Sequence, residues 1–323
     1  MFSLGRFHYP NPVIILAPMA GISDQPFRQI CEQQGADFSV AEMISAKPDL
    51  MDTRLAQTRL YFGDNPKKPK IVQLVGSDAK LMAQAAQLMQ ARGADVIDIN
   101  MGCPSKSVGK HLAGSALLSD EKKVAEILTS VSKAVNIPVT LKTRIGPHEE
   151  HINIHNIAKI AQDSNIALLS VHGRTRAQKF RGQARYEAIA NAKQHVNIPV
   201  IVNGDITSAK QCQHLIQTYH FDGVMIGRAA QGNPWLFADC QHLLNNLPNH
   251  YTHRQTTITQ HIKALHQLYG KQALYIARKH LHWYYQHHQN YPHWRPLINQ
   301  ASSDNAQIEL INRLQPPIKE RLP

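Results

Sequence analysis

Short runs of apolar and β-branched residues recur along the first two thirds of the chain, separated by longer amphipathic stretches. The runs lie at Val13–Ala17, Phe38–Ala41, Ile71–Val75, Val96–Asn100, Val139–Lys142, Leu168–Val171, Val200–Val202 and Gly223–Ile226. Each is mostly apolar throughout, as in parallel strands that are buried on both faces. The stretches between them read as helices and include Asp78–Arg92, Asp120–Val135, Ile152–Ser164 and Tyr186–His195.

Eight strands that alternate with helices over about 230 residues predict a (β/α)8 TIM barrel. A doubly wound sheet is the competing arrangement, but no G-x-G-x-x-G follows the first run, and no P-loop motif is present. After Pro234 only helical patterns remain, at Thr256–Tyr269, Gln272–Gln289 and Ala306–Leu314, and we expect a loose tail from Gln315. We therefore predict a barrel domain over residues 1–240 and a small all-helical domain over 245–323.

Composition excludes several classes of protein. The chain has 323 residues, 43% of them hydrophobic, which is enough for a large core and excludes disorder as the dominant state. No window of about 18 apolar residues predicts a transmembrane helix, and residues 1–12 lack the pattern of a secretory signal. The four cysteines show no C-x-x-C spacing and support neither a disulfide framework nor a metal site, so a reducing cytoplasm fits.

The formal net charge is +12, which is compatible with a polyanionic partner and also with a merely basic soluble protein. The charge is unevenly distributed. Residues 241–323 contain nine Lys or Arg and three Asp or Glu, a balance of 9 − 3 = +6, together with ten of the 19 histidines. Half of the charge therefore lies on the predicted helical domain.

The candidate chemistry lies at the carboxyl ends of the predicted strands, where (β/α)8 enzymes form their active sites. Gly204 and Gly227 follow the last two strands, and Arg228 adds a positive charge beside the second glycine. Glycine lets backbone N–H groups approach a ligand closely. This pattern favours a phosphate site over two simple tight turns.

Lys142 and Cys103 are the two reactive side chains of this region. A lysine within a strand needs an acceptor-rich partner, which a phosphate-bearing flavin supplies. A Schiff-base lysine and a salt-bridged structural lysine are the alternatives. Cys103 lies in a Gly-Cys-Pro turn after the fourth strand, where a thiol can act as a nucleophile or a proton donor, or be incidental.

In combination, these strand ends resemble the tRNA-dihydrouridine synthase family of flavin enzymes, over nearly the whole chain. The motifs are Ala17–Gly21 (APMAG), Asn100–Lys106 (NMGCPSK), Ala113–Leu118 (AGSALL), His172–Arg176 (HGRTR), Asn203–Ile206 (NGDI) and Met225–Ala230 (MIGRAA). Gly232–Trp235 (GNPW) and Ile276–His280 (IARKH) resemble the bacterial B branch of the family most. The order and spacing of the motifs carry the resemblance, since each alone is weak.

The resemblance implies FMN as cofactor, NADPH or NADH as electron donor and tRNA as substrate. It implies that Pro18, Met19, Ala20, Gln73, Lys142, His172, Asn203, Gly204, Asp205, Gly227 and Arg228 bind FMN. Asn100 and Arg144 would hold the target base, a uridine of the D-loop, while the flavin N5 delivers hydride to C6 and Cys103 protonates C5. No membrane contact and no obligatory protein partner are expected.

The helical domain supplies the candidate RNA surface, because its cations are interleaved with aromatic residues. We expect Arg278, Lys279 and Arg295 to contact RNA, with Trp283, Tyr284, Tyr285 and Trp294 either beside them or in the core of the helices; for Trp283 we favour the core. One stretch departs from the B-branch pattern, since Ile145-Gly146-Pro147-His148 stands where Thr-Gly-Trp is usual. An FMN barrel acting on a free pyrimidine-like molecule and a non-catalytic RNA-binding barrel remain as rival hypotheses.

Overall fold

Parallel strands at eight positions form a closed barrel, preceded by a short antiparallel hairpin. The computed structural model describes residues 1–63, 65–109, 112–247 and 254–314. The hairpin consists of β1 (Phe2–Leu4) and β2 (Phe7–Tyr9), and the barrel of β3 (Val13–Leu16), β4 (Phe38–Ser39), β5 (Ile44–Ser45), β6 (Ile71–Val75), β7 (Val96–Met101), β8 (Val139–Arg144), β9 (Leu168–His172), β10 (Val200–Asn203) and β11 (Gly223–Ile226). Their hydrogen-bonded order is β4-β3-β11-β10-β9-β8-β7-β6-β5. Because β4 and β5 share the second position, this order closes the sheet and confirms the (β/α)8 barrel.

The second strand position differs from the single strand that we predict over Phe38–Ala41. Strand β4 pairs with β3, the chain then bends, and β5 pairs with β6. Within the bend, the amide of Val40 still donates to the carbonyl of Leu16, and that of Ala41 donates to the carbonyl of Ile71. One short segment thereby bridges two neighbouring strands, and the bend buries Glu42 beside the loop that follows β3.

Apolar side chains fill the barrel interior. The cluster comprises Leu4, Val13, Ile15, Ala17, Phe38, Val40, Ile71, Val96, Leu168, Ile201 and Met225, with Phe2 and Tyr9 packed against it. Leu4, Phe2 and Tyr9 belong to the hairpin, so the hairpin packs against the barrel interior. The polar chemistry is concentrated at the carboxyl ends of the strands, as in other barrels of this type.

Helices surround the barrel, and a second, larger core lies between them and the strands. They are α1 (Gln25–Gln33), α2 (Pro48–Met51), α3 (Arg54–Arg59), α4 (Ala79–Ala91), α5 (Lys106–Gly109), α6 (Glu121–Ala134), α7 (Ile154–Asp163), α8 (Tyr186–Lys193), α9 (Ala209–Tyr219) and α10 (Leu236–Asn245). The four predicted barrel helices are confirmed to within two residues at each end. Asp78 and Asp120 cap α4 and α6 by accepting an amide N–H three residues later, which explains where these helices begin.

Between residues 254 and 314, four further helices follow the barrel: α11 (Arg254–Tyr269), α12 (Ala273–Tyr285), α13 (Tyr291–Gln300) and α14 (Asp304–Arg313). The prediction of one helix over Gln272–Gln289 is wrong at its end, because α12 stops at Tyr285 and a separate α13 follows. The sequence does not predict α13 because it contains two prolines, which are unfavourable inside helices; Pro292 stands in its first turn and Pro296 within it. The tail from Gln315 lies outside the described residues. No helix in the described ranges is long and apolar enough to cross a membrane.

The C-terminal helices pack on α1 and on the segment after β11. Gly232 has φ +72, and a Cβ at this position would overlap the backbone of Trp283 and Tyr284. The Phe27 ring of α1 lies 5.6 Å from the His261 ring and 5.4 Å from the His280 ring. Burial lowers the pKa of His261 to about 3, so this histidine is uncharged at the junction. Glycine and uncharged rings thus allow close contact between barrel and helices.

Candidate active site

The parallel register brings the polar strand residues together at one end of the barrel. Gln73 of β6 stands beside Asp98 of β7, and Asn100 of β7 stands beside Lys142 of β8. Arg144 stands beside His172, which in turn stands beside Asn203. Residues from five neighbouring strands therefore meet, although they are far apart in sequence.

A chain of buried hydrogen bonds fixes Gln73. Its Nε2 donates to Asp98 Oδ2 at 2.6 Å, and its Oε1 accepts from Asn100 Nδ2 at 2.8 Å. Thr140 Oγ1 donates to the other carboxylate oxygen of Asp98, also at 2.6 Å. Burial raises the pKa of Asp98, while the bonds from Gln73 and Thr140 lower it. Asp98 therefore sets the orientation of the Gln73 amide.

Asn100 shapes the turn that carries Cys103. Its Oδ1 accepts the amide of Gly102 at 3.2 Å and that of Cys103 at 3.0 Å. On the other side of the turn, the Cys103 carbonyl accepts from Ser115 Oγ at 2.8 Å. A Cβ at Gly114 would lie 2.9 Å from the same carbonyl oxygen, so glycine permits this approach. These contacts hold the Cys103 thiol, which is half-buried and free of any disulfide, at the end of β7.

Lys142 is a buried cation within β8, and its ammonium group bonds to a side chain of β10. Its Nζ donates to Asn203 Oδ1 at 3.2 Å, and Asn203 Nδ2 donates to the Met225 carbonyl at 2.7 Å. Burial, and secondarily the charge of Arg144, lower the pKa of Lys142 to about 8. An ammonium group held this way suits an acceptor-rich ligand above it.

Arg144 is buried, with 1% of its surface exposed, and it bonds to the backbone of two loops. Its Nε donates to the Gly102 carbonyl at 2.7 Å, one residue before Cys103. Its Nη1 donates to the Thr175 carbonyl at 3.0 Å and to the Lys179 carbonyl at 2.7 Å. Burial, followed by the charge of Arg174, lowers the pKa of Arg144 to about 10, so it remains charged at neutral pH. One guanidinium thus joins the Cys103 turn to the loop after β9.

Cations predominate around the last three strand ends. Arg174 donates to Asp205 Oδ2 at 2.5 Å, and Arg228 donates to Asp205 Oδ1 at 3.3 Å. Burial lowers the pKa of His172 to about 2, helped by the charges of Lys142, Arg144, Arg174 and Arg228. His172 is therefore neutral. With one carboxylate among these cations, the region suits an anion such as a phosphate group.

Glycines leave room beside these cations. Gly204 has φ +117, and a Cβ there would lie 2.9 Å from His172 Cδ2. A Cβ at Gly227 would meet nothing closer than Ala17 Cβ and Met19 Sδ, both at 3.6 Å. Gly227 thus faces the loop of Pro18, Met19 and Ala20 across a narrow space.

The Pro18–Ala20 loop is held by both the barrel and the helical domain. Ser23 Oγ accepts the Met19 amide at 2.7 Å, and Glu42 Oε2 accepts the Gly21 amide at 2.7 Å. Lys279 of α12 donates from Nζ to the Gly21 carbonyl at 2.5 Å. Burial lowers the pKa of Lys279, and its ammonium lies 5.4 Å from the centre of the Trp283 ring. Lys279, which we expect on the RNA surface, thus joins α12 to this loop.

The other candidates for RNA contact are divided between surface and core. Arg295 is exposed, whereas Arg278 is half-buried, with its guanidinium 5.5 Å from the centre of the Tyr275 ring. Tyr284 and Tyr285 belong to the core of the helices, and Trp294 packs against it. Trp283, for which we favour the core, is half-buried beside Lys279.

Sequence reasoning missed Asp98, Glu42 and Arg174 as determinants of the site. Asp98 could have been found from the sequence, since it is an acidic residue inside the apolar run Val96–Asn100. Arg174 stands in a family motif without a role, although its bonds to Asp205, Arg181 and Gly182 organise the loop after β9. Glu42 could not have been found from the sequence, because it reaches Gly21 through the bend after β4, which no sequence pattern predicts.

Comparison with known sequences agrees with this geometry. The profile of the family described as "Dihydrouridine synthase (Dus)" matches residues 15–320. The chain belongs to the dihydrouridine synthase family. It is 45% identical to tRNA-dihydrouridine synthase B of Xanthomonas axonopodis pv. citri over 304 residues, which cover 93% of this chain and 91% of the relative. It is 43% identical to tRNA-dihydrouridine synthase B of Escherichia coli strain K12 over 313 residues, which cover 95% and 97%.

Membership of the dihydrouridine synthase family assigns this chain to the oxidoreductases and agrees with the barrel followed by helices. The residues that the family resemblance singles out are brought together at one barrel mouth, except for Arg278, Lys279 and Arg295, which belong to α12 and α13. The site residues fit a ligand with an anionic end and an acceptor-rich ring.

Proposed function

We propose that this dihydrouridine synthase reduces the C5=C6 bond of a D-loop uridine in tRNA, with FMN as cofactor and NADPH or NADH as electron donor, in the cytoplasm. The relatives named tRNA-dihydrouridine synthase B support the substrate class. The observation that carries the proposal is the position of the Cys103 turn: Arg144 donates to its Gly102 carbonyl at 2.7 Å, and Asn100, which accepts the Cys103 amide at 3.0 Å, stands beside Lys142 in the sheet. A proton donor and two cations at one barrel mouth suit reduction of a conjugated carbonyl.

The binding of FMN is supported by the charges at the strand ends. Arg228, with the glycines Gly204 and Gly227, would receive the phosphate, and His172, Asn203 and Asp205 would surround the chain that leads to it. Lys142 and Gln73 would donate to the pyrimidine edge of the ring, while Pro18, Met19 and Ala20 would pack against it. Reduced FMN, when bound, supplies the hydride for C6 of uracil.

The protein's own groups would control charge and protons during the reaction. Negative charge develops on C5 and O4 of the base as C6 is reduced. The cationic surroundings of Lys142 and Arg144 would stabilise it, and Asn100 would fix the Cys103 turn through its bonds to the backbone. The Cys103 thiol would then donate its proton to C5.

The test uses flavin-loaded protein, NADPH and an unmodified tRNA transcript, with dihydrouridine mapped at nucleotide resolution. We expect product at one D-loop position. Free uridine, offered at the same concentration, tests the rival small-molecule activity and should remain unreduced. Bound flavin with no dihydrouridine in any tRNA would contradict the proposal.

Replacement of Cys103 by Ala tests the acid role. This variant should still bind FMN and accept electrons from NADPH, but should form dihydrouridine at least about 100-fold more slowly, because C5 has lost its proton donor. Flavin bleaching by NADPH and product formation are measured separately by stopped-flow absorbance and mass spectrometry. Near-normal product formation by the variant would exclude Cys103 as the acid.

A further inference from the structure

The loop after β9 presents an exposed aromatic ring at the barrel mouth. Phe180 is 56% exposed. Its ring centre lies 5.6 Å from the guanidinium carbon of Arg144 and 5.3 Å from that of Arg228. The His172 ring lies 6.4 Å away. An apolar ring is therefore left half in solvent, directly beside three residues of the candidate active site.

This loop is strongly basic. Residues 173–185 contain five cations, Arg174, Arg176, Lys179, Arg181 and Arg185, and no Asp or Glu. Lys179 and Arg181 are exposed on either side of Phe180, and Arg176 is half-buried. Within the described part of the chain, these three cations form no ion pair, whereas Arg185 pairs with Glu149 at 2.9 Å. An aromatic face between unpaired cations is the composition with which proteins bind single-stranded nucleic acid.

Two buried arginines hold the loop from behind. Arg144 donates to the Lys179 carbonyl, and Arg174 donates to the carbonyls of Arg181 at 3.0 Å and Gly182 at 2.6 Å. Because these bonds fix the backbone on both sides of Phe180, the ring is presented by a preorganised loop. Less conformational entropy is lost when a ligand binds to such a loop.

The backbone of residues 145–148 also supports the loop. The carbonyl of Gly146 accepts the amide of Arg176 at 2.9 Å, and the carbonyl of Pro147 accepts the amide of Ala177 at 3.0 Å. A Cβ at Gly146 would overlap the His151 carbonyl, so this position requires glycine. The backbone carbonyls of Gly146 and Pro147 therefore support the basic loop.

We propose that Phe180 is a stacking platform for a nucleobase of the RNA substrate, with Arg176, Lys179 and Arg181 holding the neighbouring phosphates. The inference rests on the proposed function for the kind of ligand. The distance to the chemistry is short, because the Arg144 guanidinium bonds both to Gly102, next to Cys103, and to Lys179, next to Phe180. A base that leaves the RNA stack to reach Cys103 loses its neighbours, and Phe180 replaces one of them.

The experiment measures binding of an unmodified tRNA transcript to the flavin-loaded full-length protein. Phe180→Ala should weaken the affinity about 5-fold to 150-fold, the range for loss of one base–aromatic stack. Phe180→Trp should retain the affinity, and Phe180→Leu should not restore it, since leucine is apolar but has no aromatic face. Leu88→Ala is the control, because Leu88 is an apolar residue that is 38% exposed near the end of α4, which leads to the amino end of β7, away from the barrel mouth, and this variant should bind as wild type does.

Salt dependence separates stacking from charge. Lys179→Gln and Arg181→Gln should each reduce the slope of log affinity against log salt by about one, whereas Phe180→Ala should leave this slope unchanged. Flavin content and the thermal unfolding midpoint of each variant verify an intact fold. Wild-type affinity in Phe180→Ala, or full affinity in Phe180→Leu, would overturn the platform.

The outcomes also separate this inference from the proposed function. Dihydrouridine formation by the wild type together with unchanged binding by Phe180→Ala would overturn the platform alone. If the wild type forms no dihydrouridine but Phe180→Ala still loses affinity for RNA, the platform stands and the proposed reaction fails.

Discussion

Lys142 should destabilise the folded protein at neutral pH, and Lys142→Met should remove that cost. The pKa of Lys142 is lowered from 10.5 to about 8 by burial, followed by the charge of Arg144. At about 1.4 kcal/mol per pH unit, this depression corresponds to about 3 kcal/mol of unfavourable free energy whenever the folded protein carries the proton. Methionine has a similar length and fills the space without a charge.

The substitution also removes the hydrogen bond to Asn203, which costs about 1 to 2 kcal/mol. The net effect at pH 7 is therefore a stabilisation of about 1 to 2 kcal/mol. Between pH 8 and 10.5 the unfolded chain still binds the proton at Lys142 but the folded protein has lost it, so the wild type gains stability as pH rises. Above pH 10.5 both states are neutral, and only the lost hydrogen bond remains.

The assay is urea unfolding, followed by circular dichroism, of flavin-free wild type and variant from pH 7 to pH 10. The difference in free energy of unfolding should favour the variant at pH 7 and shrink, then change sign, as pH rises. Lys159→Met is the control, because Lys159 is 61% exposed and pairs with Asp163 at the surface; its effect should stay within about 0.5 kcal/mol. A Lys142→Met difference that does not vary with pH would refute this reasoning.

Two further substitutions test the junction between barrel and helices. Gly232→Ala should lower the free energy of unfolding by at least about 2 kcal/mol, because its Cβ would overlap the Trp283 backbone. Gly21→Ala is the control, because Gly21 has the same φ of +72 but no atom within 4 Å of the added Cβ, so its loss reports the backbone angle alone. Equal losses of the two variants in urea unfolding would exclude the overlap. Lys279→Met should weaken FMN binding several-fold in a fluorescence titration, because the Gly21 carbonyl loses its donor. Unchanged FMN affinity, equal to that of the exposed control Lys271→Met, would show that this bond does not position the cofactor loop.

The pattern of apolar residues in the sequence predicts most of the strands and helices of this fold. Strands that are buried on both faces are apolar throughout, so they are recognised as short apolar runs. Capping residues such as Asp78 and Asp120 mark where helices begin. The predicted strands and helices are wrong where the backbone bends, or where proline residues occur within a helix. The break between β4 and β5 depends on two different neighbouring strands, and no local pattern records it.

The candidate site is predictable in its residue types but not in its bonds. Asn100 and Arg144 are predicted to hold the target base, and the structure adds bonds from both to the backbone around Cys103, which the sequence does not predict. Lys279 is predicted to contact RNA, and its bond to the Gly21 carbonyl is likewise not predicted from the sequence. A sequence shows that a polar residue follows a strand; which acceptor that residue meets depends on loops from other strands.

The bonds of Arg144 to two loops determine which molecule must change shape when a base enters the site. Its guanidinium fixes the Cys103 turn and the Phe180 loop relative to each other, so neither can move independently to meet a stacked base. Under the proposed reaction, the deformation must therefore come from the nucleic acid. Transcripts whose D-loop opens easily should be better substrates than tightly folded ones, and the protein would then select its uridine by the pliability of the RNA around it.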